Sequence, residues 1–397
     1  MANLVLYRKY RPKTFAEITG QEHVVQTLTN ALSSGTTSHA YLFCGPRGSG
    51  KTTIARLLAK SLNCEERKPA RIATPARQPD GSHGGGQSVA GGPGEFEPCN
   101  KCPSCSEINE GRSIDLTEID AASNRGVDEI RELRDGIKFR PVKSKYKVFI
   151  IDESHQLTKE AANALLKTLE EPPSHAVFIL ATTEIHKMIP TIISRCQRFD
   201  FRKLTLPEII SRLEMVAKKE GVHVEKPALE LIALSSGGAI RDAEGLLDQA
   251  LTFSGTLGRT GVIKAEDLKE LLGMVDVKIV SDFVGFLCEK KAGEAIQFLN
   301  GILEKGKDVQ EFTKAVINYL RQGLILKIGV ESSNPIIIGL TNEEQAKLQA
   351  QVAVFEEQDL RNTLKLFMDA ENKMKYSSIP QLPLELAVIE ALKLGEK

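Results

Sequence analysis

Gly45-Pro46-Arg47-Gly48-Ser49-Gly50-Lys51-Thr52 decides how the chain is read. The stretch fits G-x-x-x-x-G-K-[ST] at every fixed position, the pattern of a phosphate-binding loop. Its context agrees. Ala40 to Cys44 before it is short, apolar and strand-like, and Thr53 to Asn63 after it carries Ile54, Leu57, Leu58 and Leu62 at helical spacing. A glycine-rich turn between strand and helix lets successive N–H groups point inward. The helix adds its positive N-terminal end, so the loop is a nest for phosphate oxygens. The expected set is Gly45, Pro46, Arg47, Gly48, Ser49, Gly50, Lys51, Thr52 and Thr53, with Lys51 reaching the phosphates and the Thr52 hydroxyl ligating Mg²⁺. A glycine-rich turn that matches by chance is the alternative; strand, loop and helix in order weigh against it.

About 100 residues further on comes the second half of such a site. Lys147-Val148-Phe149-Ile150-Ile151 reads as a strand of a central parallel sheet, and it runs into Asp152-Glu153-Ser154-His155. Carboxylates at the carboxyl end of such a strand lie where the sheet's ligands bind. Asp152 is expected to hold Mg²⁺ and Glu153 to activate the attacking water. Thr158 fits the cap of a helix carrying Ala161, Leu165, Leu166 and Leu169, stopped by Pro172-Pro173. Ala176 to Ala181 is a further strand ending in Thr182-Thr183, whose hydroxyls either face a nucleotide or are simply β-formers at a strand end. Ile114 to Asp120 and Phe199 to Phe201 read as strands, Gln21 to Ser33 and Gly126 to Ile137 as helices. Alternation of this kind predicts a doubly wound α/β domain with a parallel sheet.

Between the loop helix and the second strand lies an insert. Residues 65–98 are poor in apolar residues and carry Gly84-Gly85-Gly86 and Gly91-Gly92-Pro93-Gly94, so they predict a mobile loop. The insert ends in Cys99-Asn100-Lys101-Cys102-Pro103-Ser104-Cys105, two overlapping C-x-x-C steps whose thiolates can converge on one ion. Zn²⁺ takes four such ligands, and Cys64 or His83 could complete the set, with Cys64 favoured by its place just past the loop helix. A four-cysteine site leaves no open position and is structural rather than catalytic.

From Pro207 the strand pattern stops and helices are expected over Glu208 to Gly221, Lys226 to Ser235, Ala239 to Phe253 and Ala265 to Leu272. Arg241 falls in the first turn of the third, where the helix dipole prefers an anion. That suggests either a phosphate-facing role or an ordinary surface ion pair. From Asp276 onward the pattern is again helical. The 397 residues suggest two to four domains, and 52 Lys+Arg balance 52 Asp+Glu, so any nucleic-acid contact must be local. No apolar run is long enough to span a membrane and no signal peptide is legible, so a cytoplasmic protein without membrane partners is expected. Seven cysteines argue against a disulfide framework.

Together these residues resemble the AAA+ ATPase subunits of the bacterial clamp loader, the gamma/tau family of the DNA polymerase III holoenzyme. The resemblance is carried by Tyr7-Arg8-Lys9-Tyr10-Arg11-Pro12, Gly20-Gln21-Glu22-His23, the phosphate loop, the four cysteines, Glu118 to Asp128, Asp152-Glu153, Glu170 to Pro173, Ala181-Thr182-Thr183, Ser194-Arg195-Cys196 and Arg241-Asp242-Ala243. It implies a nucleotide-binding domain over 1–206 with a zinc insert over 64–105, a helical lid over 207–275 and a helical collar over 276–397. It implies that Tyr7, Arg11 and Pro12 border the adenine of ATP, and that Thr183 (or Thr182) and Arg241 sense the nucleotide. It further implies that Arg195 reaches a neighbour's γ-phosphate, with Ser194 and Cys196 holding its turn. The implied partners are delta- and delta-prime-type subunits in a five-subunit ring, a sliding clamp, and primer–template DNA held by its backbone. Arg125, Arg131 and Arg134 are the candidate DNA contacts. Competing readings are another AAA+ ATPase, a nucleotide-binding scaffold of a replication or repair complex, and a zinc-centred DNA-binding module. The last is opposed by the acidic run Ser106-Glu107-Ile108-Asn109-Glu110 beside the cysteines.

Overall fold

The computed structural model describes residues 4–66, 96–123, 136–253, 255, 262–273, 275–304, 306–329 and 342–393. Most of the helix expected over 126–137, nearly all of the glycine-rich loop with His83, and Arg125, Arg131 and Arg134 lie outside the described residues. Two compact units are present, one of residues 1–221 with 232–249, the other of 222–231 with 250–397.

The first unit is built on five parallel strands: β1 (Ala40–Cys44), β2 (Leu116–Asp120), β3 (Lys147–Asp152), β4 (Ala176–Thr182) and β5 (Gln197–Asp200). Their order is β2-β3-β4-β1-β5. β1 is flanked by β4 and β5, with Phe43 opposite Ala181 on one side and Phe199 on the other. β4 carries a buried residue at every position because helices cover both faces of the sheet. On one face Tyr41, Phe43, Val148, Ile150, Val177 and Ile179 pack under the helices Glu22–Ser34 and Lys51–Asn63. On the other, Leu42, Phe149, Ile151, Phe178 and Leu180 pack with Ala161, Leu165 and Leu169 of the helix Lys159–Glu170. Successive strand residues point to opposite faces, which sorts each strand between the two cores. The Thr158 hydroxyl accepts from the Ala161 N–H, capping that last helix as expected.

The helix Leu206–Glu220 follows β5 and opens with a capping box of Thr205 and Glu208. Glu208 accepts from the Thr205 N–H (2.7 Å) and from both Arg202 terminal nitrogens (2.8 and 2.6 Å). The Arg202 guanidinium, together with the Thr205 bonds, outweighs partial burial and holds the Glu208 carboxyl down to about 2.

The second unit is mainly helical. The expectation that strands stop at Pro207 is corrected here: β6 (His223–Val224) and β7 (Val262–Ile263) pair in parallel. Two residues are too short to print an alternating pattern. Beyond them the helices Val277–Cys288, Ala292–Glu304, Val309–Lys327, Asn342–Val354, Glu357–Met374 and Leu382–Lys393 share one core. Phe283 lies edge-on to Phe312 (5.1 Å between centroids) and Phe367 (6.2 Å). Among the described residues no helix is long and apolar enough to cross a membrane.

Candidate functional site

The phosphate loop leaves β1 at Cys44 and is fastened to the next strand by the Gly45 N–H, which donates to the Thr182 carbonyl at 3.1 Å. Gly48 is required twice over. Its φ is +74°, and a Cβ there would stand 2.7 Å from the Ala239 Cβ. Lys51, 6% exposed, folds back over the loop and donates from Nζ to the Gly45 (2.8 Å) and Pro46 (2.9 Å) carbonyls. Burial lowers its pKa, opposed by the charges of Glu153 and Asp152. A lysine ammonium beside a glycine-rich loop at the start of the helix Lys51–Asn63 is suited to phosphate oxygens.

The two halves of the site meet at Thr52, whose Oγ1 donates to Asp152 Oδ2 at 2.6 Å. The other carboxylate oxygen accepts from the Glu153 N–H. Glu153 stands in the left-handed region at φ +46°, which turns its side chain out of the line of β3. Its Oε2 accepts from the Thr183 hydroxyl (2.8 Å) and N–H (3.3 Å). Thr182 is fully buried; its hydroxyl accepts from the Glu184 N–H and lies 3.0 Å from His155 Nδ1. Of the two threonines, Thr183 is therefore the one joined to Glu153.

A cavity of about 390 Å³ opens over these groups, within the range of small-molecule sites. Arg47 to Thr53 form its floor, with Asp152 and Glu153 at one wall. Tyr7, Arg11, Pro12, Ile18 and Thr19 of the N-terminal arm form another. Leu204, Arg212, Ile240, Arg241 and Glu244 close it. The Arg241 guanidinium lies 4.8 Å from the centre of the Tyr7 ring. Arg11 is partly buried, and its burial and then the nearby Arg56 charge depress its pKa.

Three contributors were not singled out from the sequence. Arg212 and Glu244 form an ion pair (2.9 Å) with both side chains 5% exposed, and Arg212 also donates to the Tyr10 carbonyl, tying the arm to the cavity wall. Burial raises the Glu244 pKa against the pull of Arg212. Gln21 is fully buried; its amide donates to the Arg202 carbonyl and accepts from the Arg202 N–H. Only the position of Gln21 in a Gly-Gln-Glu-His run hinted at it.

Arg195 does not line this cavity. It donates to the Thr191 carbonyl (2.8 Å) and the Ser194 hydroxyl, pairs with Glu170, and is 32% exposed. Ser194 in turn donates to the Thr191 carbonyl. The Cys196 thiol is pushed up to about 12 by burial, as befits a packing residue.

The sulfurs of Cys64, Cys99, Cys102 and Cys105 all lie within 4.8 Å of one another. Tetrahedral Zn²⁺ with ordinary Zn–S bonds would place them about 3.8 Å apart. Asn100 at φ +56° makes the turn between the first two ligands of the pair. Backbone N–H groups of Lys101 and Cys102 donate to Cys99 Sγ, and that of Cys99 donates to Cys64 Sγ. Four converging sulfurs, two of them accepting these N–H bonds, are compatible with thiolates around a metal, and Cys64 is among the four.

Three family models match the chain. DNA polymerase III, delta subunit, matches residues 20–78 and 87–205; DNA polymerase III clamp loader subunit, ATPase lid domain, matches 208–256; DNA polymerase III subunits gamma and tau domain III matches 263–396. DNA polymerase III subunit tau of Bacillus subtilis (strain 168) is 40% identical over 390 residues, covering 98% of this chain and 63% of that protein. Subunit tau of Escherichia coli (strain K12) is 35% identical over 395 residues, covering 99% and 56%. Subunit gamma of Buchnera aphidicola subsp. Schizaphis graminum is 35% identical over 388 residues, covering 98% of both. The chain thus spans less than two thirds of the length of the two tau subunits.

Proposed function

The chain belongs to the gamma/tau subunit family of DNA polymerase III, and from that premise we propose that it is an ATP-hydrolysing motor subunit of a clamp loader. The observation that carries the reading is the meeting of Thr52 with Asp152 beneath a cavity that Glu153 and Lys51 also face. Lys51 and the loop N–H groups hold the β- and γ-phosphates. Tyr7, Arg11 and Pro12 border the adenine. Thr52 and Asp152 would hold Mg²⁺, which when bound would supply charge neutralisation to the phosphoryl group. Glu153 takes the proton of the attacking water, and Thr183 sets the direction of its carboxylate. Arg241 answers to the γ-phosphate from the far wall.

Arg195 completes the site of a neighbouring subunit rather than its own. Its exposure and its position off the cavity support that reading. The assembly is a five-subunit ring with delta- and delta-prime-type subunits, which opens a sliding clamp and grips primer–template DNA by its phosphates when ATP is bound. Residues 1–206 are the AAA+ nucleotide domain with its insert over 64–105, 207–275 the lid, and 276–397 the collar. The four cysteines hold a structural Zn²⁺.

The test is steady-state ATP hydrolysis by this chain alone and with its partner subunits, with and without clamp and primed DNA. Strong stimulation in the complete mixture is expected. Equal rates in every mixture would leave a phosphate-loop ATPase and overturn the clamp-loader assignment.

A further inference from the structure

The cysteine-bearing insert grips the arm that walls the nucleotide cavity. Glu97, two residues before Cys99, accepts the Phe15 N–H on Oε2 and the Ala16 N–H on Oε1, both at 2.8 Å. Asn100, inside the first C-x-x-C step, donates to the Lys13 carbonyl at 3.0 Å. The same carbonyl accepts from Lys60 Nζ (2.8 Å), and Lys60 also donates to the Asn100 and Asn109 side chains. Lys60 lies on the phosphate-loop helix and is 2% exposed. Phe96 packs against the core that buries Phe15. The bonds fall on residues 13, 15 and 16, between Arg11–Pro12 and Ile18–Thr19, two of the arm's segments that reach the cavity, with Tyr7 a third.

We propose that Glu97 and Asn100 are positioning residues for nucleotide binding: through Lys13, Phe15 and Ala16 they hold the arm against the pocket. This rests on the ATP reading above. The insert needs no contact with the nucleotide to act. An arm held in its bound conformation before ATP arrives need not be ordered by ATP, and the saved ordering appears as affinity. The cysteine cluster fixes Asn100 in its left-handed turn and so fixes the grip.

The test uses the full chain, Mg²⁺-ATP as probe, zinc analysis, and amide exchange at Phe15 and Ala16. Glu97→Ala removes two charge-assisted acceptors. Asn100→Gly keeps the positive φ and removes only the side chain. Both are expected to retain zinc, to exchange faster at Phe15 and Ala16, and to bind ATP about tenfold more weakly. Glu107→Ala is the control, since Glu107 lies on the helix Pro103–Glu110 that carries Cys105 but bonds to Lys143; it should bind ATP as the parent does. Unchanged affinity in both zinc-loaded variants would overturn the proposal, as would an equal loss in Glu107→Ala. Failure of the parent chain to bind ATP would instead bring down the nucleotide reading, a separate result.

Discussion

Thr52 Oγ1 and Asp152 Oδ2 are 2.6 Å apart although they are 100 residues apart in sequence, one beyond the end of β1 and the other at the end of β3, strands that are not neighbours. In the proposed site this contact would pre-form a pair of oxygen ligands for Mg²⁺. Thr52→Val should therefore raise the Mg²⁺ concentration needed for hydrolysis, while Thr52→Ser should not. A Mg²⁺ titration of the rate decides this, and equal midpoints for both variants would remove Thr52 from the metal site.

Glu153→Gln keeps the side chain's size and removes its basicity. ATP binding should persist while turnover falls about 10²–10⁴-fold. Binding measured by equilibrium titration and hydrolysis measured on the same preparation separate the two. Loss of binding would mean that Glu153 is structural.

Arg195→Ala should leave ATP affinity of the isolated chain unchanged and lower hydrolysis in the assembled ring by roughly 10³-fold. The side chain already has local acceptors in Thr191 and Glu170, so its removal from an exposed position costs little stability. Loss of binding by the isolated chain would place the arginine in its own site.

The purified protein should contain about one zinc per chain, and Cys105→Ser should lose it, because three remaining thiolates leave the tetrahedron open. Cys105 is fully buried, so the variant should also melt at lower temperature. Metal analysis well below one zinc per chain in the parent would refute the site.

Glu208→Gln should destabilise the fold by about 1 kcal/mol at pH 7, a figure discounted because Arg202 is 40% exposed. The Glu208 pKa is depressed on folding, to about 2. Its contribution is therefore fully present above the unfolded value near 4.5 and fades as pH falls towards 2. Melting curves of parent and variant should differ at pH 7 and converge as the acid limb is approached; a constant gap would assign the effect to packing.

The parts of this site that sequence shows are those whose chemistry is packed into a few adjacent positions. Gly45 to Thr52, Asp152-Glu153 and Cys99 to Cys105 each carry their meaning in local spacing. Arg212 and Glu244 do not. Each is one charged residue on an amphipathic helix, and only the fold turns both inward. Glu97 looked like part of a loop without structure, and its two acceptors matter only because Phe15 and Ala16 come to meet it. Strand alternation does not say whether Thr182 or Thr183 faces a ligand; in the fold Thr183 is the one hydrogen-bonded to Glu153. β6 and β7 were missed because two residues have no period.

The order β2-β3-β4-β1-β5 has a consequence for synthesis. β1 is translated first of the five strands, yet both its neighbours come last. Between Cys44 and Asp200 lie roughly 150 residues, or about eight to thirty seconds of elongation. Until Thr182 is made the strand carrying the phosphate loop has two unpaired edges and no acceptor for the Gly45 N–H, and one edge stays open until β5 follows. Of the five strands, Ala40–Cys44 therefore waits longest for its partners, and a folding helper that shields an apolar edge would find its target there.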